Sequence, residues 1–279
     1  VHYQHRFHAG NFADVHKHVI LCGLLRALSR KEAPWAYLET HAGGGAYDLA
    51  DEAASRTAEF HDGIERLYGA IAAPEPVSAY LEIVRTMNAH AALRRYPGSP
   101  LFAAHYARAF DRILLCEREP AIVTTLKAEL GADPHVAVHH RDGYEAHALL
   151  PPREKRGLVL IDPPFERPDE FDAVTGFVTR ALGRFSNGVI AVWYPYKKRF
   201  DTERFLRRLR RDCAREAINY VLETGAASEG RMHACGMVVI NPPFSFVGEM
   251  SAALPWLADM LSRGARAQSR VESWVPGKL

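Results

Sequence analysis

The chain has 279 residues, 48% hydrophobic and 24% charged, with a formal net charge of +2. That length supports a large buried core, and the balance is that of a globular protein rather than a disordered or fibrous one. A run of about eighteen apolar residues and a signal-peptide pattern are lacking, so a cytoplasmic protein is expected rather than a membrane or secreted one.

Residues 11–30 read as a helix, with Asn11 as N-cap and Val15, Val19, Leu21, Leu25 and Leu28 supplying apolar surface. Ala36-Tyr37-Leu38-Glu39-Thr40 reads as the first strand and runs into His41-Ala42-Gly43-Gly44-Gly45. Residues 48–98 then break the strand rhythm. They carry helical stretches around Ala58–Ile71 and Pro76–His90 and no convincing strand, so they read as a helical insertion subdomain. Further strands are predicted at Ile113–Cys116, Val136–His139, Gly157–Ile161, Gly188–Tyr194, Ala217–Leu222 and Gly236–Ile240. Helical patterns lie between several of them; Phe171, Val174, Val178 and Leu182 recur at spacings of three or four. Alternating strands and helices predict an α/β fold, a Rossmann-like seven-stranded sheet built from 1–47 and 99–279 and interrupted by the 48–98 subdomain.

Asp162-Pro163-Pro164-Phe165 follows the apolar run 157–161. A carboxylate there can accept hydrogen bonds from a planar amine, prolines stiffen the backbone, and the ring of Phe165 can stack on a base. Methyltransferases acting on the exocyclic amine of adenine or cytosine share this pattern, [DNS]-P-P-[YFW]. A second match, Asn241-Pro242-Pro243-Phe244, follows another apolar run. Position separates them. Ligands of open α/β sheets bind beyond the strands' carboxyl ends, near the reversal of strand order. Gly43-Gly44-Gly45, Glu117, Asp142-Gly143 and Asp162 end the first four predicted strands in turn, whereas Asn241 ends the seventh. The order suits a nucleoside-bearing cofactor, with Glu117 toward ribose hydroxyls, Asp142-Gly143 toward adenine and Asp162 at the reactive end. A nicotinamide dinucleotide fits less well, because the glycines do not extend to G-x-G-x-x-G.

His2, His5 and His8 raise the possibility of a metal, but no Cys or matched H-x3-H pair accompanies them, and no metal is expected. Cys22, Cys116, Cys213 and Cys235 are widely spaced and read as reduced thiols. Asp14, Lys17 and His18 can share one helix face, either in a site or as a solvated first turn. Residues 197–215 carry Lys197, Lys198, Arg199, Arg204, Arg207, Arg208, Arg210, Arg211 and Arg215, either a phosphate-facing patch or a solvated helix face.

Tyr3-x-His5-x-Phe7-His8-Ala9-Gly10-Asn11-x-Ala13-Asp14-Val15-x-Lys17-His18 resembles the N-terminal signature of the RlmJ family of 23S ribosomal RNA adenine-N6 methyltransferases. The resemblance continues through Thr40–Gly43, Tyr96–Pro100, Asp142-Gly143, Asp162–Pro164, Trp193–Pro195, Asn241–Pro243 and Leu254–Leu257. It implies a methyltransferase sheet and methyl transfer from S-adenosylmethionine to one flipped-out adenine of 23S rRNA, free or in an early assembly particle, by a monomer. By matching positions, His18, His41, Ser99, Glu117, Asp142, Gly143 and Asp162 hold the cofactor, with Asp162 also catalytic. Tyr3, His5, Lys17, Pro163 and Phe165 approach the base. The family commonly has Tyr where this chain has Phe165; stacking needs only the ring. A DNA adenine methyltransferase, a nonenzymatic RNA-binding protein with a vestigial pocket and, more distantly, a histidine-based metal hydrolase are the alternative readings.

Overall fold

A computed structural model describes residues 5–226 and 232–276. After a 3-10 turn at His5–Phe7, helix α1 spans Phe12–Ser29. Asn11 caps it as its pattern predicts: the Asn11 side-chain oxygen accepts from the backbone N–H of Ala13 (3.0 Å) and of Asp14 (2.9 Å). Strand β1 (Ala36–Glu39) follows.

The 48–98 region contains α2 (Glu52–Thr57), α3 (Ile64–Tyr68) and α4 (Glu75–Met87), flanked by two short strands, β2 (Ala46–Asp48) and β3 (Arg95–Pro97). These two pair antiparallel as a separate ribbon, although no strand is expected there. Three residues, one of them proline, are too few to show a two-residue period.

Helix α5 (Ser99–Tyr106) leads back to the main layer, where β4 (Arg112–Glu117), α6 (Pro120–Leu130), β5 (Val136–His140), β6 (Gly157–Ile161), α7 (Glu170–Arg184), β7 (Val189–Pro195), α8 (Arg199–Cys213), β8 (Ala217–Glu223), β9 (Ala234–Ile240), α9 (Phe244–Met260) and β10 (Gln268–Trp274) follow. The main sheet has eight strands in the order β10-β8-β9-β7-β6-β1-β4-β5. Pairing is parallel from β5 through β7; β9 lies antiparallel to both β7 and β8, and β10 antiparallel to β8. All seven expected strands are present, and β10 is the eighth. Its residues Gln268–Glu272 are largely exposed, so the strand carries little of the apolar pattern that marks a buried one.

The strands alternate between two cores. Tyr37, Ile113, Leu115, Leu158, Leu160, Ala191 and Val239 face one, packed with residues of α1, α4, α5 and α9. Leu38, Leu114, Val159, Ile161, Ile190, Val192 and Val238 face the other, with α7 and α8. Helix α1 is buried around its whole circumference from Phe12 to Leu25 because α4, α5 and α9 pack against it beyond the sheet. Its polar residues Asp14, His16, Lys17 and His18 are therefore inside the protein, not in a solvated first turn.

Candidate active site

Chain order reverses at β1, which has β4 on one side and β6 on the other. Beyond the carboxyl ends of these strands lies a cavity of about 570 Å³. Its lining brings together ten of the expected residues: His5, Lys17, His18, His41, Ser99, Glu117, Asp142, Gly143, Asp162 and Pro163. Tyr3 and His2 lie outside the described residues.

One wall is a chain of charges. Lys17 Nζ donates to Asp162 Oδ2 at 2.5 Å and pairs with Asp14 Oδ1 at 2.9 Å. Asp14 Oδ2 in turn meets His5 Nε2 (2.9 Å) and accepts from the backbone N–H of Gly10 (2.9 Å). Asp14 and Lys17 are only 2% and 5% exposed, so each needs the other's charge. Burial works against the ammonium of Lys17, yet Asp14 and Asp162 together hold its pKa well above the usual lysine value. Burial likewise opposes the Asp14 carboxylate, and His5 and Lys17 hold it well below the usual range. Among the described residues Lys17 is the hydrogen-bond partner of the Asp162 carboxylate, through Oδ2. No hydrogen bond to Asp162 Oδ1 is found among the described residues, and Asp162 lines the cavity.

The other wall follows the strand ends. Glu117 closes β4; its Oε2 accepts from Gly43 N–H (3.1 Å), and its Oε1 from the N–H of Arg118 (2.7 Å) and Glu119 (2.9 Å). This ties the glycine turn after β1, where Gly43 takes φ +65°, to the neighbouring strand. Asp142 Oδ1 caps the Gly143–Leu149 turn by accepting from Tyr144 N–H at 2.9 Å. Gly143 is packed so closely that a Cβ on it would lie 2.0 Å from the Thr40 carbonyl oxygen. His41 packs edge-on to Tyr144, and burial lowers its pKa to about 4, so it is neutral near pH 7. His18 Nδ1 hydrogen-bonds the Tyr96 hydroxyl at 2.7 Å. Its Nε2 is buried at the cavity wall and has no hydrogen-bond partner among the described residues. Burial and the adjacent Lys17 keep His18 neutral as well.

Sequence reasoning misses Glu39 at the end of β1. It is fully buried, accepts from the hydroxyls of Ser99 and of Tyr37 (3.0 Å), and burial raises its pKa to about 8. An acid closing an otherwise apolar strand is the signal that marks it. Trp193 on β7 also lines the cavity, a position its apolar strand pattern conceals. The N-terminal turn is clasped by the insertion: Glu59 Oε2 meets His8 Nδ1 (3.0 Å) and accepts from Asn11 Nδ2 (2.9 Å). Among the described residues no group of three or more His, Cys, Asp or Glu side chains is arranged to hold a metal.

Phe165 does not line the cavity: it is 7% exposed and belongs to the second core, with its ring centroid 5.2 Å from Phe171 and 5.8 Å from Trp193. Its backbone takes φ +51°, and after two prolines this turn swings the ring inward while Pro163 and Pro164 stay on the cavity wall. Asn241 lies at the opposite edge of the sheet from Asp162, because β9 runs antiparallel to β7 and Ile240 pairs with Ile190 near the start of β7. There Asn241 Nδ2 donates to the carbonyls of Ser186 (3.1 Å) and Gly188 (2.9 Å), a strand-end tie.

A family model described as "Ribosomal RNA large subunit methyltransferase D, RlmJ" matches residues 32–275. The chain belongs to the RlmJ family. Ribosomal RNA large subunit methyltransferase J of Escherichia coli (strain K12) is 38% identical over 275 residues, and that of Haemophilus influenzae (strain Rd) 40% over 276; each comparison spans 98% of both chains. A crystal structure of a Legionella pneumophila protein superposes with a TM-score of 0.89 at 37% identity, covering 98% of this chain and 100% of that one. The RlmJ assignment and the eight-stranded sheet agree with the resemblance carried by the N-terminal string and the strand-end motifs.

Proposed function

We propose that this RlmJ-family chain transfers a methyl group from S-adenosylmethionine to the N6 amine of one adenine in 23S rRNA, within a domain formed by 1–47 and 99–279 that the 48–98 subdomain supports. The observation that carries the reading is the Asp162 carboxylate, held at Oδ2 by a buried lysine and lining a cavity at the strand reversal. The lining fits the cofactor. Glu117 and Asp142 end neighbouring strands, Gly143 brings backbone to the wall, and His18 Nε2 is a buried polar atom awaiting a partner. Such a cavity, about 570 Å³, is within the range of cofactor sites. S-adenosylmethionine bound there supplies an electrophilic methyl group.

The adenine amine is a weak nucleophile because its lone pair is delocalised into the ring. Asp162 Oδ1 accepts one N–H, and the Pro163 carbonyl is the second acceptor; gripping both favours a pyramidal nitrogen. Lys17 fixes the rotamer of the carboxylate, so positioning supplies much of the acceleration. The proton shed by the amine leaves by way of Oδ1. His5, tied to Asp14, stands on the side from which a flipped base enters. Stacking falls to Trp193, which lines the cavity where Phe165 does not. The proposed enzyme is a monomer acting on free or partly assembled rRNA. Incubation of the protein with labelled S-adenosylmethionine and deproteinised 23S rRNA tests the reading: label should appear as N6-methyladenine at one position. Absence of transfer to rRNA, with transfer to DNA instead, overturns it.

A further inference from the structure

The basic segment 197–215 is not one uniform patch. On α8, Arg208 pairs with Asp172 of α7 and with Asp212, so it turns toward α7, and Arg211 meets Asp212 on α8 itself at 2.8 Å; neither lines the cleft beside β10. Arg199, Arg207 and Arg210 instead line a second cleft, about 530 Å³, between α8 and the β8–β10 edge. Arg270 of β10 closes it from the other side. Lys197 lines both this cleft and the Asp162 cavity, with its Nζ donating to the Phe165 carbonyl at 2.6 Å. The two cavities therefore share a cationic border.

Building on the RNA-methyltransferase reading, we propose that single-stranded nucleotides flanking the target adenine pass over Lys197 and lie in this cleft. Arg199, Arg207, Arg210 and Arg270 contact their phosphates there. Three carboxylates also line the cleft, but each is committed: Glu203 to Arg199 (2.7 Å) and Arg207 (4.0 Å), Glu223 to Arg270 (3.2 Å), and Glu272 to Asn219 (3.1 Å). A guanidinium has five N–H donors, so one such pairing orients the fork and leaves donors for phosphate. The side chains of Arg199, Arg207 and Arg270 are 89%, 67% and 44% exposed, within reach of a backbone laid along the surface. A charged groove next to a pocket that takes one base is how sequence-tolerant contacts set register while the pocket does the chemistry.

The double variant Arg207→Gln/Arg270→Gln tests the path, with Arg208→Gln/Arg211→Gln as a charge-matched control outside the cleft. Each single-strand phosphate contact adds about 0.7 to the slope of log K against log salt, so two contacts are worth roughly 25-fold in affinity at about 0.1 M salt. The cleft variant should raise KM for 23S rRNA by about that factor and flatten the salt slope by about 1.4, with kcat near wild type. The control should match wild type. Equal KM and equal salt slope for both variants and wild type overturn the path while leaving the methyltransferase reading intact. Wild-type protein that neither methylates nor binds the RNA removes both.

Discussion

Replacing Lys17 by methionine keeps most of the unbranched stem and removes the ammonium that joins Asp14 to Asp162. Breaking a buried pair by deleting one partner costs roughly 3–5 kcal/mol, because the remaining charge stays buried. Asp14 is 2% exposed and the Asp162 side chain 15%, so Asp14 bears most of that cost. At about 2–4 °C per kcal/mol for a domain of this order, Tm should fall by roughly 6–20 °C. The pH dependence identifies the cause. In the wild type the folded-state pKa of Asp14 lies well below the ordinary value and that of Lys17 well above it. Asp14 thus contributes stability that is lost only as pH falls through its depressed pKa, and Lys17 stability lost only as pH rises through its raised one. Their joint contribution is level across neutral pH. Without Lys17, burial of the Asp14 carboxyl is opposed chiefly by His5, its folded-state pKa rises from the wild-type position, and the variant's folded state takes up a proton at higher pH than the wild type's does. The Tm deficit should therefore shrink between pH 7 and pH 5, while kcat for rRNA methylation falls by about 10²-fold or more as Asp162 loses its anchor. Melting curves across pH, read with single-turnover methyl transfer, check both parts. A variant with wild-type Tm and kcat, or with a pH-independent deficit, refutes the reasoning.

Other substitutions separate structural from chemical roles. Phe165→Ala should cost about 3–5 kcal/mol through the cavity left in the second core, seen as a lower Tm, and Phe165→Leu should recover most of it together with activity. Asn241→Ala removes two hydrogen bonds and places alanine at φ +53°; it should cost roughly 2–4 kcal/mol in chemical denaturation while kcat per folded molecule stays at wild type. Glu39 has a folded-state pKa raised to about 8, so its contribution to stability is present at low pH and is lost as pH rises through about 8. Glu39→Gln, neutral at every pH, should keep the fold at pH 6 and flatten the decline in stability between pH 5 and pH 8.

The sheet was legible because its inner strands are buried on both faces and read as unbroken apolar runs, as at 157–161 and 236–240. The same rule explains why β10 was not: an exposed edge strand with Arg270 and Glu272 in it looks like a loop. Strand order was enough to bring Glu117, Asp142 and Asp162 to one cavity, since each is the first acid at a strand's carboxyl end or within two residues beyond it. The inward turn of Phe165 was not legible, because it depends on a positive φ after two prolines and on room between Phe171 and Trp193. Helix α1 misleads in the opposite sense. A first turn with Asp14, Lys17 and His18 fits a solvated face equally well, and only packing from α4, α5 and α9 makes it an interior charge cluster. The two halves of the basic segment separate by partners across the fold, Asp172 on one side and the β10 edge on the other.

The central claim is that Asp162, held by Lys17, grips an adenine amine of 23S rRNA. Its most direct test is N6-methyladenine mapping on deproteinised 23S rRNA treated with wild-type protein or with Asp162→Ala, each with S-adenosylmethionine. The wild type should give one modified adenine, and the variant should lose at least about 10²-fold in kcat while remaining folded. Full turnover by Asp162→Ala, or an rRNA that gains no N6-methyladenine from the wild type, would contradict it.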